Sequence, residues 1–350
     1  MARFPFGLPN GWFLVAWADE LAPGHLQPLH VLDRDFVLFR GESGEARVFD
    51  AHCPHLGAHL GIGGRVVGDT IQCPFHGWRF AGDGRCVDIS YAKRIPPGAR
   101  ARSHPVVERN GMIFLWFHAA DQPPDFEVPV LPEWGDGEWL DAWVRWDWTL
   151  ATQPQEMAEN GIDWPHFETI HRIPAPEQRR WEFRERSFFW QVGGTKPVDA
   201  LESGRDEILM FGENWGLSYS WLKQHGHYDT VVVTGMTPID GETTRVRMGV
   251  IARIGASPSP AVRAAFEAYM KEHAAFAEAD FPIWANKRYR ARPALCDGDG
   301  PIADYRRWAA RFYSAESDLA AAPTPAIPRS TSASTASATI ASGAPNPHRA

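Results

Sequence analysis

Two short segments, each with one cysteine and one histidine, constrain this 350-residue chain more than any other feature. Cys53 and His55 form the first pair, and Cys73 and His76 form the second, in the pattern C-x-H-x17-C-x2-H. A proline follows each cysteine, and Gly77 follows the second histidine, which is typical of tight loops. Thiolates and imidazoles are common metal ligands in proteins. The pattern therefore predicts that two loop tips come together around a metal.

The division of the ligands between the loops indicates which metal is bound. Structural zinc sites usually take C-x2-4-C and H-x3-5-H pairs. Here each loop supplies one cysteine and one histidine, which suits a Rieske [2Fe–2S] centre, where two thiolates hold one iron and two imidazoles hold the other. The spacing favours such a cluster on Cys53, His55, Cys73 and His76, with a zinc site as the alternative.

The sequence around these loops predicts a small all-β domain over residues 10–119. Apolar runs are short and separated by turn signals, as in the hairpin expected for Phe36–Phe39 and Ala46–Phe49. The run Met112–Phe117, MIFLWF, has the composition of a fully buried strand.

Residues 120–316 mix both types of secondary structure and predict a larger α+β domain. Two strands are expected within Tyr228–Ile254, and Ser259-Pro260 marks the start of a helix that we expect to run to about Lys287. The predicted fold class is therefore α+β, with an antiparallel sheet plus helix in a helix-grip-like arrangement. Residues 321–350 are rich in Ala, Pro, Ser and Thr and predict a disordered tail.

The larger domain contains a second candidate metal site. His166 and His171 lie near carboxylates, as in a 2-His-1-carboxylate site that leaves positions open on iron(II). On an ideal helix they would point roughly 140° apart, so both can bind one metal only if the helix is distorted or ends, as Pro165 suggests. Steps of three and four from Val262 place Asp280 on a mostly apolar helix face, where a carboxylate needs a partner. A metal would be a suitable partner for the Asp280 carboxylate, and an ion pair with Lys287 or an arginine is the alternative.

Composition limits the function classes. A net charge of −8 argues against nucleic acid or an anionic membrane surface as the partner. Four cysteines do not make a disulfide scaffold, and no apolar run is long enough for a membrane span, so a cytoplasmic location is expected. The 43 aromatic rings (16 Trp, 20 Phe and 7 Tyr) can line an apolar pocket as well as fill cores.

Several motifs resemble those of the Rieske non-haem iron oxygenases. Residues 53–60, CPHLGAHL, and 73–80, CPFHGWRF, resemble the Rieske domain, and Ile71–Ile95 resembles the cholesterol 7-desaturase and 3-ketosteroid 9α-hydroxylase branch. The order N-x2-D-x2-H-x4-H from Asn160 resembles the iron-binding segment of the family, and the D-x-x-I-W run from Asp280 resembles the segment that supplies the carboxylate.

The resemblance implies a division of roles among these residues. Mononuclear Fe(II) would be held by His166, His171 and Asp280, with Asn160 nearby. Asp163 would connect a Rieske histidine of one subunit to an iron histidine of the next, in a homotrimeric head-to-tail ring.

The implied function is that of the terminal oxygenase of a multicomponent system. A partner NAD(P)H-dependent reductase or ferredoxin would supply electrons, because the sequence has no dinucleotide or flavin fingerprint. With O2, the enzyme would hydroxylate or desaturate a small hydrophobic, sterol- or steroid-like substrate. The alternatives are hydroxylation or demethylation of an aromatic acid and, in another class, an electron carrier without oxygenase activity.

Overall fold

The computed structural model describes residues 3–172, 176, 178–195 and 207–315. The predicted tail, residues 321–350, lies outside the described residues. Within them the chain forms eighteen strands, in antiparallel pairs, and five α-helices. None of these helices is long and apolar enough to cross a membrane.

The N-terminal region is built from eleven strands in three small sheets. They are β1 (Gly11–Trp17), β2 (Leu26–Val31), β3 (Arg34–Arg40), β4 (Ala46–Asp50), β5 (Arg65–Val67), β6 (Thr70–Gln72), β7 (Arg79–Phe80), β8 (Cys86–Asp88), β9 (Ser103–His104), β10 (Val106–Arg109) and β11 (Met112–Phe117). The sheet orders are β1-β11-β10, β2-β3-β4-β9 and β5-β6-β7-β8. The predicted hairpin is confirmed as β3 and β4, and β11 is buried along its whole length.

The C-terminal region is dominated by one seven-stranded sheet of order β12-β18-β17-β16-β15-β14-β13. Its strands are β12 (Val144–Leu150), β13 (Gln178–Phe183), β14 (Ser187–Thr195), β15 (Glu207–Trp215), β16 (Tyr219–His225), β17 (Thr230–Pro238) and β18 (Thr244–Ala252). The helices are α1 (Pro154–Glu159), α2 (His166–Thr169), α3 (Pro260–Glu278), α4 (Phe281–Asn286) and α5 (Ile302–Ala309). The α+β class, with β17 and β18 where two strands were expected, is thus confirmed.

Helix α3 begins where the sequence indicates. The Ser259 hydroxyl accepts a hydrogen bond from the Val262 amide, and Pro260 occupies the first turn. Phe266 and Met270 are buried in the same core as residues of β17 and β18, so α3 covers one face of the large sheet.

The prediction of one continuous helix to Lys287 is wrong. Helix α3 ends at Glu278, and the separate helix α4 begins at Phe281 with Pro282 in its first turn. Proline lacks an amide hydrogen and its ring clashes with the preceding turn, so a helix cannot continue through this position undisturbed. The expected apolar face is interrupted as well, because Ile283 is 51% exposed. The break places Asp280 at the junction between two helices.

The two regions share a core. The Leu14 side chain packs so closely on Gly235 that a Cβ there would come within 2.5 Å of Leu14 Cβ. The Thr237 hydroxyl donates to the Leu14 carbonyl at 2.8 Å, and the Ser218 hydroxyl donates to the Trp12 carbonyl at 2.6 Å. Strand β1 is therefore fixed to both the small sheet and the large one.

Candidate metal centres

The two cysteine–histidine loops adopt the same backbone geometry. In the first, the Gly57 amide donates to the Cys53 carbonyl at 2.9 Å, and in the second the Gly77 amide donates to the Cys73 carbonyl at 3.1 Å. Both glycines lie in the left-handed region, with φ of 77° and 73°, which other residues rarely adopt. Each turn folds back on its cysteine and carries a half-buried histidine.

The four predicted cluster residues are brought together. The His55 and His76 rings lie 4.7 Å apart between centroids, and both cysteines are buried. Burial raises the pKa of Cys53 to about 12, and the neighbouring Cys73 adds to the effect. The Cys53 thiol needs a cation to become a thiolate in such surroundings, and the iron of a cluster would supply it.

The histidine side of this site also fits a metal. His55 Nδ1 is buried without a hydrogen-bond partner among the described residues, so its lone pair is available to a metal. Trp78 stacks on the His55 ring at 4.3 Å and 9°, and its indole N–H donates to the Tyr91 hydroxyl at 2.8 Å. The ring is thus held from one side.

The helix that carries His166 ends before His171. The two side chains therefore do not have the opposed directions that an ideal helix would give them. Helix α2 spans only His166–Thr169, and His171 lies in the bend that follows, next to Arg172 with φ of 59°. The two imidazole rings therefore approach to 5.0 Å between centroids rather than pointing apart.

Asp280 completes this second group. One ligand atom from each of His166, His171 and Asp280 lies within 4.8 Å of the others. The buried Asp280 carboxylate lies 3.4 Å from His171 Nε2 through Oδ2 and pairs with neither Lys287 nor an arginine among the described residues. Two imidazoles and one carboxylate are the donor set of a non-haem iron(II) site.

Asn160 and Asp163 orient these side chains. Asn160 Nδ2 donates to Asp280 Oδ2 at 3.0 Å and lies 3.1 Å from His166 Nε2. His166 Nδ1 contacts the Asp163 carbonyl oxygen, which turns Nε2 toward Asp280. His171 Nδ1 is buried and has no hydrogen-bond partner in the described part of the chain, so a ring nitrogen is available to a metal. Outer partners of this kind are typical of metal-binding histidines.

The Asp163 carboxyl group itself is partly buried. Burial raises its pKa, and the nearby His166 and Lys287 oppose that rise. The contact to His166 uses the Asp163 backbone rather than this carboxylate, so the side chain is available for another partner.

A cavity of about 260 Å³ opens beside the second group. Five aromatic residues contribute to its lining, which confirms the expectation that some of the rings line a pocket: Phe167, Trp190, Trp221, Phe276 and Trp284. A neighbouring cavity of about 150 Å³ shares Met210, Leu222, Val232, Phe276 and Ala277 with it. The strand residues of this lining cannot be identified individually from the sequence, because side-chain alternation along a strand does not show which face borders a cavity.

The comparisons with known proteins agree with this architecture. A model described as the Rieske [2Fe-2S] domain matches residues 11–100, and one described as the 3-ketosteroid 9alpha-hydroxylase C-terminal domain matches residues 115–313. Cholesterol 7-desaturase of Caenorhabditis elegans is 33% identical, over 88% of this chain and 78% of the relative. A probable 3-ketosteroid-9-alpha-monooxygenase oxygenase component of Rhodococcus rhodochrous is 30% identical, over 89% and 81%.

A solved structure shows the same fold. Dicamba monooxygenase bound to dicamba superposes with a TM-score of 0.69 at 20% identity, over 88% of this chain and 98% of that one. The chain belongs to the Rieske non-haem iron oxygenases, in the family defined by the 3-ketosteroid 9α-hydroxylase C-terminal domain. It is accordingly an oxidoreductase with a [2Fe–2S] cluster and mononuclear iron as cofactors, rather than a zinc protein or a simple electron carrier.

Proposed function

We propose that this chain is the oxygenase component of a multicomponent system that hydroxylates or desaturates a sterol- or steroid-like substrate. The observation that carries the proposal is the apolar cavity beside His166, His171 and Asp280. The names of the relatives, a cholesterol desaturase and a ketosteroid monooxygenase, point to the same substrate class.

The metal ligands form part of the proposal. Cys53 and Cys73 would hold one iron of the cluster, His55 and His76 the other, in the Rieske arrangement. His166, His171 and Asp280 would hold the mononuclear iron, which when bound supplies open positions for O2. Asn160 orients the Asp280 carboxylate by its hydrogen bond, and the Asp163 carbonyl fixes the tautomer and rotation of His166.

The cavity supports a long hydrophobic substrate. The iron-site cavity and its neighbour share five lining residues, so together they extend away from Asp280 between the large sheet and α3. No arginine or lysine is among the described residues that line either cavity. A bound aromatic acid would need such a cation for its carboxylate, so the aromatic-acid alternative has no support from the lining.

Electron supply and assembly complete the proposal. A reductase or ferredoxin would reduce the cluster, and the Asp163 carboxylate would link the cluster of one subunit to the iron of the next in a homotrimer. Exposed apolar side chains near the cluster loops, Leu56, Ile62, Phe75 and Tyr91, suit a surface that another protein covers. We further propose domain limits of 10–119 and 120–316 and a cytoplasmic location.

A substrate screen tests the proposed function. The purified protein, supplied with a reductase and NADH, would be incubated with sterols, 3-ketosteroids and aromatic acids. We expect an oxidised product, with matching O2 and NADH consumption, only for the first two groups. Product from aromatic acids alone would overturn the proposed substrate class, and no product from any group would overturn the oxygenase role.

A further inference from the structure

Glu156 is a buried carboxylate to which the roles described so far give no function. It lies on α1, its side chain is 2% exposed, and neither carboxylate oxygen has a hydrogen-bond partner among the described residues. Its nearest cations are Arg3, with Nη2 at 3.8 Å, and Lys287, with Nζ at 3.8 Å. Both distances are too long for a direct hydrogen bond.

The two cations are held back by other contacts. Arg3 Nη1 donates to the carbonyl oxygens of Trp284 and Ala285 at 3.0 and 2.9 Å, at the end of α4. Lys287 lies just after α4 and is also 3.8 Å from Glu159. These contacts keep both cations beyond hydrogen-bond distance of the Glu156 carboxylate.

Other polar groups near Glu156 also lack hydrogen bonds. Arg3 Nη2 and the Tyr313 hydroxyl are buried without hydrogen bonds in the described structure, and the Glu156 charge helps to raise the pKa of Tyr313. Buried polar groups in proteins are nearly always satisfied, and a buried water typically makes about three hydrogen bonds to such groups. A carboxylate, a guanidinium and a phenol that all lack partners are therefore suited to binding ordered water.

Two features link Glu156 to the proposed iron site. Glu156 precedes Asn160 by one helical turn, so both side chains lie on the same side of this segment. The charge of Lys287 acts on Glu156 and on Asp163, the residue whose carbonyl holds His166. Lys287 is also partly exposed, so the charged residues around Glu156 extend from solvent toward the iron ligands.

We propose that ordered water connects these buried polar groups and that Glu156 takes up protons from solvent and relays them toward the iron site. The inference rests on the proposed oxygenase function. Hydroxylation consumes the substrate C–H bond, O2, two electrons and two protons, and yields the C–OH product and one water. The electrons come from the reductase through the cluster, and the protons must come from solvent through the protein.

The charge environment of Glu156 supports a proton-carrying role. Burial raises its pKa, Lys287 and Arg3 oppose the rise, and Glu159 adds to it. The charged or titratable groups that face it from the surrounding elements are Arg3, Glu159, Lys287, Arg306 and Tyr313. Glu159 is itself bound by Arg306 at 2.6 and 2.9 Å, which leaves Glu156 as the carboxylate with unused acceptor sites.

The test uses the holoenzyme with Glu156→Gln, which keeps the shape and removes the titration. Glu213→Gln is the matched control, because Glu213 is buried but satisfied by Ser187 and Arg184 at 2.7 Å each. Infrared spectra over a pH series should show a titrating buried carboxyl band in the wild type and in Glu213→Gln, and Glu156→Gln should lack it. This readout is independent of turnover.

Kinetics then test the relay. With both metals retained, Glu156→Gln should lower the product formed per O2 consumed by at least fivefold and increase the solvent deuterium isotope effect. If Glu156→Gln does not fold, Tyr313→Phe takes its place in the test. This substitution removes one hydrogen-bond partner of the proposed water and should produce a smaller change in the same direction. Unchanged product yield and isotope effect in a folded variant would overturn the relay, as would the absence of the band from the wild type. A wild type without any product would instead refute the proposed function.

Discussion

The two metal regions of this molecule are built in opposite ways. The proposed cluster ligands lie on two adjacent turns with matching hydrogen bonds, within one short stretch of chain. The proposed iron-site residues come from a broken helical segment and from a helix junction, and the bonded pair Asn160 and Asp280 is 120 positions apart. A local site is specified by the conformation of its own loops, whereas a distributed site depends on the packing of the whole domain.

The electrostatic character of the two regions differs in the same way. The cysteines are surrounded by apolar core, and burial holds the pKa of Cys53 high. The proposed iron site lies beside charged groups, the buried Glu156 and Glu159 on α1 and the partly exposed Lys287 after α4. Each region should therefore respond to substitution independently of the other.

The largest effect is expected from Cys73→Ser. Loss of one thiolate should remove the cluster and abolish electron transfer and turnover, while the mononuclear iron stays, because its ligands lie on other elements. The visible spectrum and iron content of the variant check this, with the exposed Cys296→Ser as control. Loss of the mononuclear iron from a folded variant would contradict the independence of the regions.

Asp163→Asn should lower turnover by more than about 100-fold with both metals retained. The substitution removes the proposed bridging carboxylate but keeps the backbone carbonyl that holds His166. Metal analysis and single-turnover assays separate these outcomes, with the exposed Asp304→Asn as control. Full turnover would rule out the bridge.

Asn160→Ala should weaken iron binding by about 10- to 100-fold, the usual effect of losing an outer partner of a metal ligand. The lost interaction is the 3.0 Å hydrogen bond to Asp280, so the cluster spectrum should not change. Competition with a chelator measures the affinity. An unchanged affinity would show that packing alone positions Asp280.

Val232→Trp should weaken the binding of a sterol. Val232 lines both cavities, and added bulk there should raise the KM for a sterol by about 10-fold or more. Steady-state kinetics test this, with Val130→Trp on the surface as control. An unchanged KM would place the sterol away from the wall that the two cavities share.

The smallest effect concerns stability. Burial raises the pKa of Glu156, so the native state holds this proton more tightly than the unfolded state does. Its contribution to stability is therefore present at low pH and is lost as pH rises through the raised pKa. Glu156→Gln should gain stability relative to the wild type between pH 5 and pH 8, measured as the difference in Tm. If the Tm of Glu156→Gln relative to the wild type instead falls as pH rises, folding lowers the pKa of Glu156 rather than raising it.

The sequence predicts the local features of this protein better than the distributed ones. The β3–β4 hairpin and the Ser259 cap follow from neighbouring residues alone, as does the approach of the two cysteine–histidine loops. Periodicity places Asp280 on one continuous helix, whereas the structure breaks the helix at this residue, because Pro282 cannot continue it. The individual residues that line the cavity could not be predicted, because the lining depends on how β14 to β18 and α3 pack together.

Metal content of the wild type and of Asp280→Ala tests the central claim, that two independent iron centres are built from these two regions. The wild type should contain about three irons per chain, two in the cluster and one at the mononuclear site. Asp280→Ala should contain about two and keep the cluster spectrum, whereas Asp136→Ala, an exposed control, should retain three. Three irons in Asp280→Ala, or loss of its cluster spectrum in a folded protein, would contradict the account.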